Sequence, residues 1–407
     1  LANEYLKQTS DQKLEERGHT AIKTEVEKYR LEARFMRALA YSILIDTYGN
    51  PPFITEEHPI GSYMPEQIGR VALFEYIEDE LLDIESKMPA PRTNEYGRAD
   101  QGAVWTLLSR LYLNAEVYTG TPKWTEVITY SKKVIGGGYS LAPNYSHLFM
   151  ADNNVSAAKN EIIFPIIFDG NKIQTWGGMT YLIASSRSGS EKDIVDNGTQ
   201  QAWDGNRATE KLVDKFTYTD LSGDYPVSAD KRAIFFKKGR SKEITNPLNT
   251  FTTQGWSVFK FTNKTSTGGK GAHNDFPDTD FPYFRLADVY LMLAEAVVRG
   301  GTGSSTSEAI GYVNELRRRA YGNNSGDVSS LNLNFLIDER SRELYWEGTR
   351  RSDLIRFNMY TGSAYLWPMK GGQPSGVSID TRYNLFPIPV ADLMANPNLV
   401  QNSGYQN

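Results

Sequence analysis

The densest run of ionisable chemistry in this sequence is Glu339-Arg340-Ser341-Arg342-Glu343-Leu344-Tyr345-Trp346-Glu347-Gly348. Spacing of four puts Glu339, Glu343 and Glu347 on one face of a helix, and Arg351 follows Glu347 by the same step. Two such carboxylates could be the acid and base of a glycoside hydrolase. Catalytic carboxylates, however, flank a cleft and usually come from separate elements. Consecutive helical glutamates beside Arg342, Arg350, Arg351 and Arg356 read as a structural ion-pair network.

Asp278-Thr279-Asp280 offers a different chemistry. Asp280 precedes Pro282, where a helix is expected to begin, so it can serve as that helix's cap. Two carboxylates one residue apart can also hold calcium, with Asp152 or Asn153 adding oxygens. Both readings stand at this level. Trp176 and Trp203 also read two ways, as packing or as a binding platform. Their neighbours are small, polar and turn-forming, in Trp176-Gly177-Gly178 and Gln200-Gln201-Ala202-Trp203-Asp204-Gly205-Asn206, which favours exposure. An exposed indole face stacks on the C–H face of a pyranose while nearby Asn, Gln and Arg groups bond its hydroxyls. Tyr181 and Arg187 fall in the same stretch and complete the candidate ligand-binding set. Two aromatic faces set at an angle would suit a curved sugar chain better than a straight one.

Other catalytic signatures fail. His19, His58, His147 and His273 are scattered without metal-ligand spacing. Ser156-Ala157-Ala158-Lys159 matches Ser-x-x-Lys, but its companion motifs are missing. Gly301-Thr302-Gly303 follows a helix, not a strand, and is a loop rather than a phosphate cradle.

The elements that must position these residues are mostly helical. Leu31, Phe35, Ala38, Ser42 and Ile45 mark one face of a helix over 24–48, stopped by Gly49 and Pro51-Pro52. A second helix covers about 66–87, a third follows Tyr96-Gly97-Arg98-Ala99-Asp100, and a fourth runs from Trp124 to Ile135. Helices return at Pro282, with a partner ending at Gly322, and a last pair begins near Leu331 and runs to Gly348. Two strands are expected between, in Glu161–Phe168 and Ser257–Phe261. No helical or strand period runs through the first half of Thr175–Phe216. The chain thus reads as one domain over 1–407. A helical scaffold over 20–138 and 282–357 carries a loop-rich ligand-binding part over 139–281 and an irregular tail over 358–407.

Composition narrows the function classes. The 407 residues carry a net charge of −5 and no long basic run, so a nucleic-acid groove is not expected. With Cys at 0, disulfides, thiolate zinc sites and a thiol nucleophile are excluded. No apolar run approaches the roughly 18 residues that span a bilayer, and no signal peptide is visible. Leu1-Ala2-Asn3-Glu4-Tyr5 reads like the interior of a helix, so the natural N-terminus is expected to be missing. Tyr, at 24, well outnumbers Trp, at 7, a surplus that suits flat-faced contact with polar ligands.

Several of these segments recur in order in a known family. Glu32-Ala33-Arg34-Phe35-Met36-Arg37-Ala38-Leu39, Tyr48-Gly49-Asn50-Pro51-Pro52, Phe284-Arg285-Leu286-Ala287-Asp288-Val289-Tyr290, Glu343-Leu344-Tyr345-Trp346-Glu347-Gly348, Phe386-Pro387-Ile388-Pro389 and Asn396-Pro397-Asn398-Leu399-Val400-Gln401-Asn402 resemble the SusD/RagB outer-membrane glycan-binding lipoproteins of Bacteroidetes. The likeness is strongest to the starch-binding type. It implies a mainly α fold, four tetratricopeptide-like helix pairs supporting an irregular half with a few short strands. It implies a noncatalytic protein that captures glycan at the cell surface, starch or malto-oligosaccharide for this type. A SusC-like TonB-dependent transporter would be its partner, and its only membrane link a lipid anchor absent from this chain. It places binding aromatics at Trp176 and Trp203, and a structural calcium near Asp278, Asp280 and Asn153. The lipidated N-terminal Cys and an upstream binding aromatic of the family are not in this sequence, and Trp stands at 176 in place of a Tyr.

Overall fold

A computed structural model of the chain describes residues 1–59, 61 and 63–406. They form two compact units, one of 1–137 with 380–407, the other of 138–379.

The first unit opens with α1 (Ala2–Gln8), followed by α2 (Lys23–Thr47) and α3 (Arg70–Glu85), a pair that packs together across the long connection 48–69. The two helices pack against each other, and Phe35, Ala38 and Ile45 of α2 and Leu73, Ile77 and Leu81 of α3 are all buried. Arg34 crosses the pair to Glu80 at 2.7 Å and Asp83 at 2.6 Å. Gly49, at φ +73°, ends the turn after α2 in the left-handed region expected from its position. Next come α4 (Gln101–Leu113), capped by Asp100 accepting from the Ala103 amide at 3.1 Å, and its partner α5 (Trp124–Ile135). The C-terminal segment from Asp380 on, which contains the short helix Val390–Ala395, is tied to this unit. Asn402 donates to the carbonyls of Tyr48 at 2.9 Å and Phe386 at 2.8 Å.

The second unit holds the other two helix pairs, α7 (Leu286–Val298) with α8 (Thr306–Tyr321), and α9 (Leu333–Leu344) with α10 (Arg350–Arg356). Between α5 and α7 the chain makes one two-turn helix, α6 (Gly178–Ser185), and two small antiparallel sheets. One pairs β1 (Ile162–Ile166) with β4 (Phe281–Arg285), the other β2 (Phe235–Phe236) with β3 (Ser257–Val258). The fold class is as the resemblance implied: mainly helical, four helix pairs, little strand.

Three expectations need correction. The helix expected from Pro282 starts at Leu286, because Pro282 lies in β4 directly opposite Pro165 of β1. Two prolines facing each other cost no ladder bond that either could have donated. No helical period was expected through the first half of Thr175–Phe216, yet α6 sits there. The last pair, expected to run from near Leu331 to Gly348, extends to Arg356, its first helix stopping at Leu344. Tyr345 leaves it in an extended conformation and Trp346 turns left-handed at φ +64°.

That early stop shapes the acidic run. Glu339 and Glu343 lie on α9, and Glu347 reaches the same place from the turn. All three meet cations supplied from far away in sequence. Arg232 contacts Glu339 at 2.8 Å, Glu343 at 2.9 Å and Asp230 at 2.6 Å. Arg285 contacts Glu161 at 2.9 Å, Glu343 at 2.7 Å and Glu347 at 2.6 Å. Arg319 binds Glu161 at 2.6 Å and also Glu343. Lys260 binds Glu347 at 2.6 Å with its ammonium 4.3 Å from the ring centres of both Phe149 and Tyr345. Of the arginines expected beside the glutamates, Arg342 does join Glu339, at 2.7 Å. Arg350 instead donates to the Ile337 carbonyl, and Arg356 joins Glu295 and Asp353.

Glu339, Glu343, Arg232, Arg285 and Lys260 are all buried. Burial by itself would raise the glutamate pKa values. The guanidinium groups outweigh it, holding Glu339 down to about 2 and Glu343 far below the carboxylate range as well. A folded-state pKa below the unfolded one adds stability that is present above the unfolded value and lost as pH falls. Unfolding free energy, followed by urea melts across pH, is therefore expected to drop as pH falls from 4.5 towards 2. These two residues contribute no change at higher pH.

Candidate functional site

The site is built around α6. Met179 and Ile183, one helical turn apart, are buried in an apolar cluster with Leu148, Phe149 and Phe261. Tyr181 therefore points the other way and is 48% exposed. Gly178 enters the helix at φ +56°, and a Cβ there would lie 2.7 Å from the Phe168 ring, so only glycine lets the chain pass this close. Trp176 stands just before this entry and is 56% exposed.

The other side of the site is laid against the C-terminal end of α6. The amide of Trp203 donates to the Ala184 carbonyl at 2.9 Å, and that of Asn206 to the Ser185 carbonyl at 3.1 Å. These two bonds satisfy carbonyls that the helix end leaves open. Asn206 Nδ2 also donates to Ser185 Oγ at 2.7 Å. Trp203 thereby comes to rest with its ring centre 5.7 Å from that of Trp176, the two planes inclined at 50°. Trp203 remains 37% exposed. Behind Trp176 stands Phe276, ring centres 4.8 Å apart. The Tyr181 hydroxyl reaches Asn206 Oδ1 at 3.4 Å, closing an open shelf of three aromatic residues with a carboxamide at its edge.

Arg187 does not line this shelf. It is 2% exposed, and its guanidinium donates to three backbone carbonyls, of Val195 at 2.9 Å, Thr199 at 2.7 Å and Gln201 at 2.8 Å. Burial lowers its pKa from the ordinary arginine value, with nearby Asp196 opposing. Its part is to fold the loop that delivers Trp203, so the sequence-level reading of it as a ligand contact is corrected. Arg187→Met is expected to lower unfolding free energy by about 1–3 kcal/mol, the cost of leaving buried carbonyls unpaired. Amide exchange over 195–203 should quicken with it, as hydrogen–deuterium exchange would show.

The side chains considered for calcium take part in loop hydrogen bonds. Asp278 accepts from the amides of Gly170 at 2.7 Å and Ala272 at 2.6 Å. Asp280 accepts from Phe168 at 2.8 Å and does not cap α7. Asn153, fully buried, donates to the carbonyls of Leu148 and Asp280, each at 2.9 Å. Asp152 is taken up by Ser266. These side chains clamp loops. Among the described residues no group of three or more His, Asp or Glu is placed to hold a metal. The clamps still serve the site. Asp278 ties the turn carrying Phe276 to Gly170, where an added Cβ would come within 2.3 Å of the Phe276 carbonyl oxygen.

Phe276, Gln201, Asp275 and Asn206 belong to the shelf but were not singled out from sequence. Gln201 and Asn206 stand in the same polar run as Trp203, which was the available signal. Phe276 and Asp275 carried none, since they approach from a loop some seventy residues later.

The glutamates once weighed as a glycosidase pair are sealed in the interior and neutralised by arginines. They flank no cleft, so the acid–base reading of them is overturned.

The SusD family profile matches residues 237–405. The starch-binding protein SusD of Bacteroides thetaiotaomicron is 39% identical, over 94% of this chain and 74% of its own length. Among solved structures, surface glycan-binding protein A from Bacteroides uniformis aligns with a TM-score of 0.73 at 21% identity, covering 98% of this chain and 82% of that one. A laminarin-binding SusD-like protein aligns at 0.72 and 21%, covering 99% and 83%. At such identity the two structures speak for the fold alone.

Proposed function

The chain belongs to the SusD family, and from that premise we propose that it binds starch or a related α-glucan at the cell surface without cleaving it. In this reading it hands the glycan to a TonB-dependent outer-membrane transporter of the SusC type. A lipid on a segment not contained in these 407 residues would tether it to the outer membrane. Among the described residues no helix is long and apolar enough to cross a bilayer.

The observation that supports the ligand most directly is the inclined pair of exposed indoles, Trp176 and Trp203, 5.7 Å and 50° apart. An α-linked glucan curves, so successive rings present their C–H faces at changing angles, and two tilted planes can each meet one. Tyr181 and Asn206 supply hydroxyl and carboxamide groups beside those faces for the sugar's hydroxyls. The 39% identical relative is named for starch binding.

Isothermal titration with maltoheptaose and α-cyclodextrin tests the proposal. Heat with both is expected. No heat with either, while a β-linked glucan such as a laminarin oligosaccharide binds, would remove the starch assignment and leave a binder of another polysaccharide.

A further inference from the structure

The two indoles of the shelf are held by one turn. Its first residue, His273, accepts the amides of Asp275 at 3.0 Å and Phe276 at 3.2 Å on Nδ1. The His273 ring packs on Phe276 at 5.0 Å, and Phe276 in turn backs Trp176 at 4.8 Å. Asp275, one residue earlier, points to the other indole through an intermediary. Its Oδ1 accepts from Gln201 Nε2 at 2.7 Å, and Gln201 Oε1 accepts from Trp203 Nε1 at 2.8 Å.

The chemistry of this chain of three leaves one arrangement. Indole nitrogen can only donate, so it needs an oxygen. Gln201 offers that oxygen only if its NH2 faces away, and the NH2 meets a carboxylate, which can only accept. Flipping the carboxamide would set donor against donor and acceptor against acceptor. The Gln201 backbone is fixed as well, since Arg187 holds its carbonyl at 2.8 Å. The Trp203 N–H is thus spent on protein, and the ring can give a ligand only its face and far edge.

We infer that Asp275 and Gln201 are positioning residues that act through Trp203. By fixing its tilt against Trp176 they set the preference of the shelf for cyclic or coiled α-glucan over short linear pieces. Without the relay the Trp203 side chain is free to turn about its own torsions and settle on Trp176. A single flat face would then serve a short linear sugar about as well, and a curved one worse. This rests on the α-glucan reading of the shelf.

The test uses Gln201→Leu, Asp275→Ala and Asp275→Asn in the full chain, labelled with 5-fluorotryptophan. The Trp203 line is assigned by its loss in Trp203→Phe. Without any ligand, Gln201→Leu and Asp275→Ala should shift or broaden that line, and Asp275→Asn, which keeps an acceptor oxygen, should restore it. By titration, the first two variants should bind α-cyclodextrin about threefold to tenfold more weakly, with maltotriose changed less than about twofold, as expected for one net hydrogen bond. Asp275→Asn should bind both as wild type does. An unmoved Trp203 line, or equal losses for both sugars in variants that melt like wild type, overturns the inference. If wild type binds no α-glucan, the α-glucan reading fails and the stated preference with it. The ligand-free line then tells whether the relay itself exists.

Discussion

Replacing Glu343 with glutamine is expected to lower unfolding free energy by about 3–5 kcal/mol, the usual cost of removing one partner from a buried ion pair. Glu343 is the hub of the second unit's ionic interior. Its carboxylate meets Arg232 at 2.9 Å, Arg285 at 2.7 Å and also Arg319. The substitution keeps the shape and removes the charge, so three guanidinium groups held in the interior lose a counter-charge together. Its amide hydrogens would also point at donors, where the carboxylate only accepted. Denaturant melts at neutral pH measure this. A loss below about 1 kcal/mol would mean that the site takes up water or rearranges, which the burial of every partner argues against. Glu343→Gln should also flatten part of the acid-side slope described above, because the group that titrates there is gone.

Trp203→Ala is expected to weaken α-glucan binding by about 1–3 kcal/mol, as for the loss of an aromatic hot spot. The residue is exposed, and its amide, not its ring, makes the bond to Ala184. Truncation therefore removes the stacking face and leaves the backbone of the shelf in place, so the melting temperature should stay close to wild type. Titration with maltoheptaose, set beside a thermal melt, separates this from unfolding. Unchanged affinity in a folded variant would move the binding surface away from these indoles altogether.

Much of the scaffold was legible because its signals are local. The span of α5, Trp124 to Ile135, was read to the residue, since apolar periodicity and a triple-glycine stop bracket it. The end of α8 at Gly322 was equally plain, and that residue is left-handed at φ +75°. What went unread was set by partners distant in sequence. Pro282 looks like a helix start until β1 supplies Pro165 opposite it. α6 is only two turns long, too brief for a period to show, and is secured by packing against Phe149 and Phe261. Within the site, Trp176, Tyr181 and Trp203 announced themselves by residue type and polar company, and the structure brings the three together. Arg187 carries the same chemical label as a ligand-binding arginine. Only the three carbonyls around it reveal a buried support, and none of them is coded in its immediate sequence. The acidic run was read correctly as structural, yet its main cations, Arg232, Arg285, Arg319 and Lys260, stand 24 to 111 residues from the glutamates they meet.

The division of the chain at 137/138 and 379/380 has a consequence for biosynthesis. Every residue of the second unit leaves the ribosome as one uninterrupted stretch, before the last segment of the first unit exists. At about 5–20 residues per second, the two early helix pairs wait on the order of ten seconds or more for the tail that ties itself to Tyr48 through Asn402. Chains translated in vitro and stalled short of residue 380 should thus contain the whole second unit beside a first one that lacks its tail and stays more open to proteases, an order written into connectivity alone.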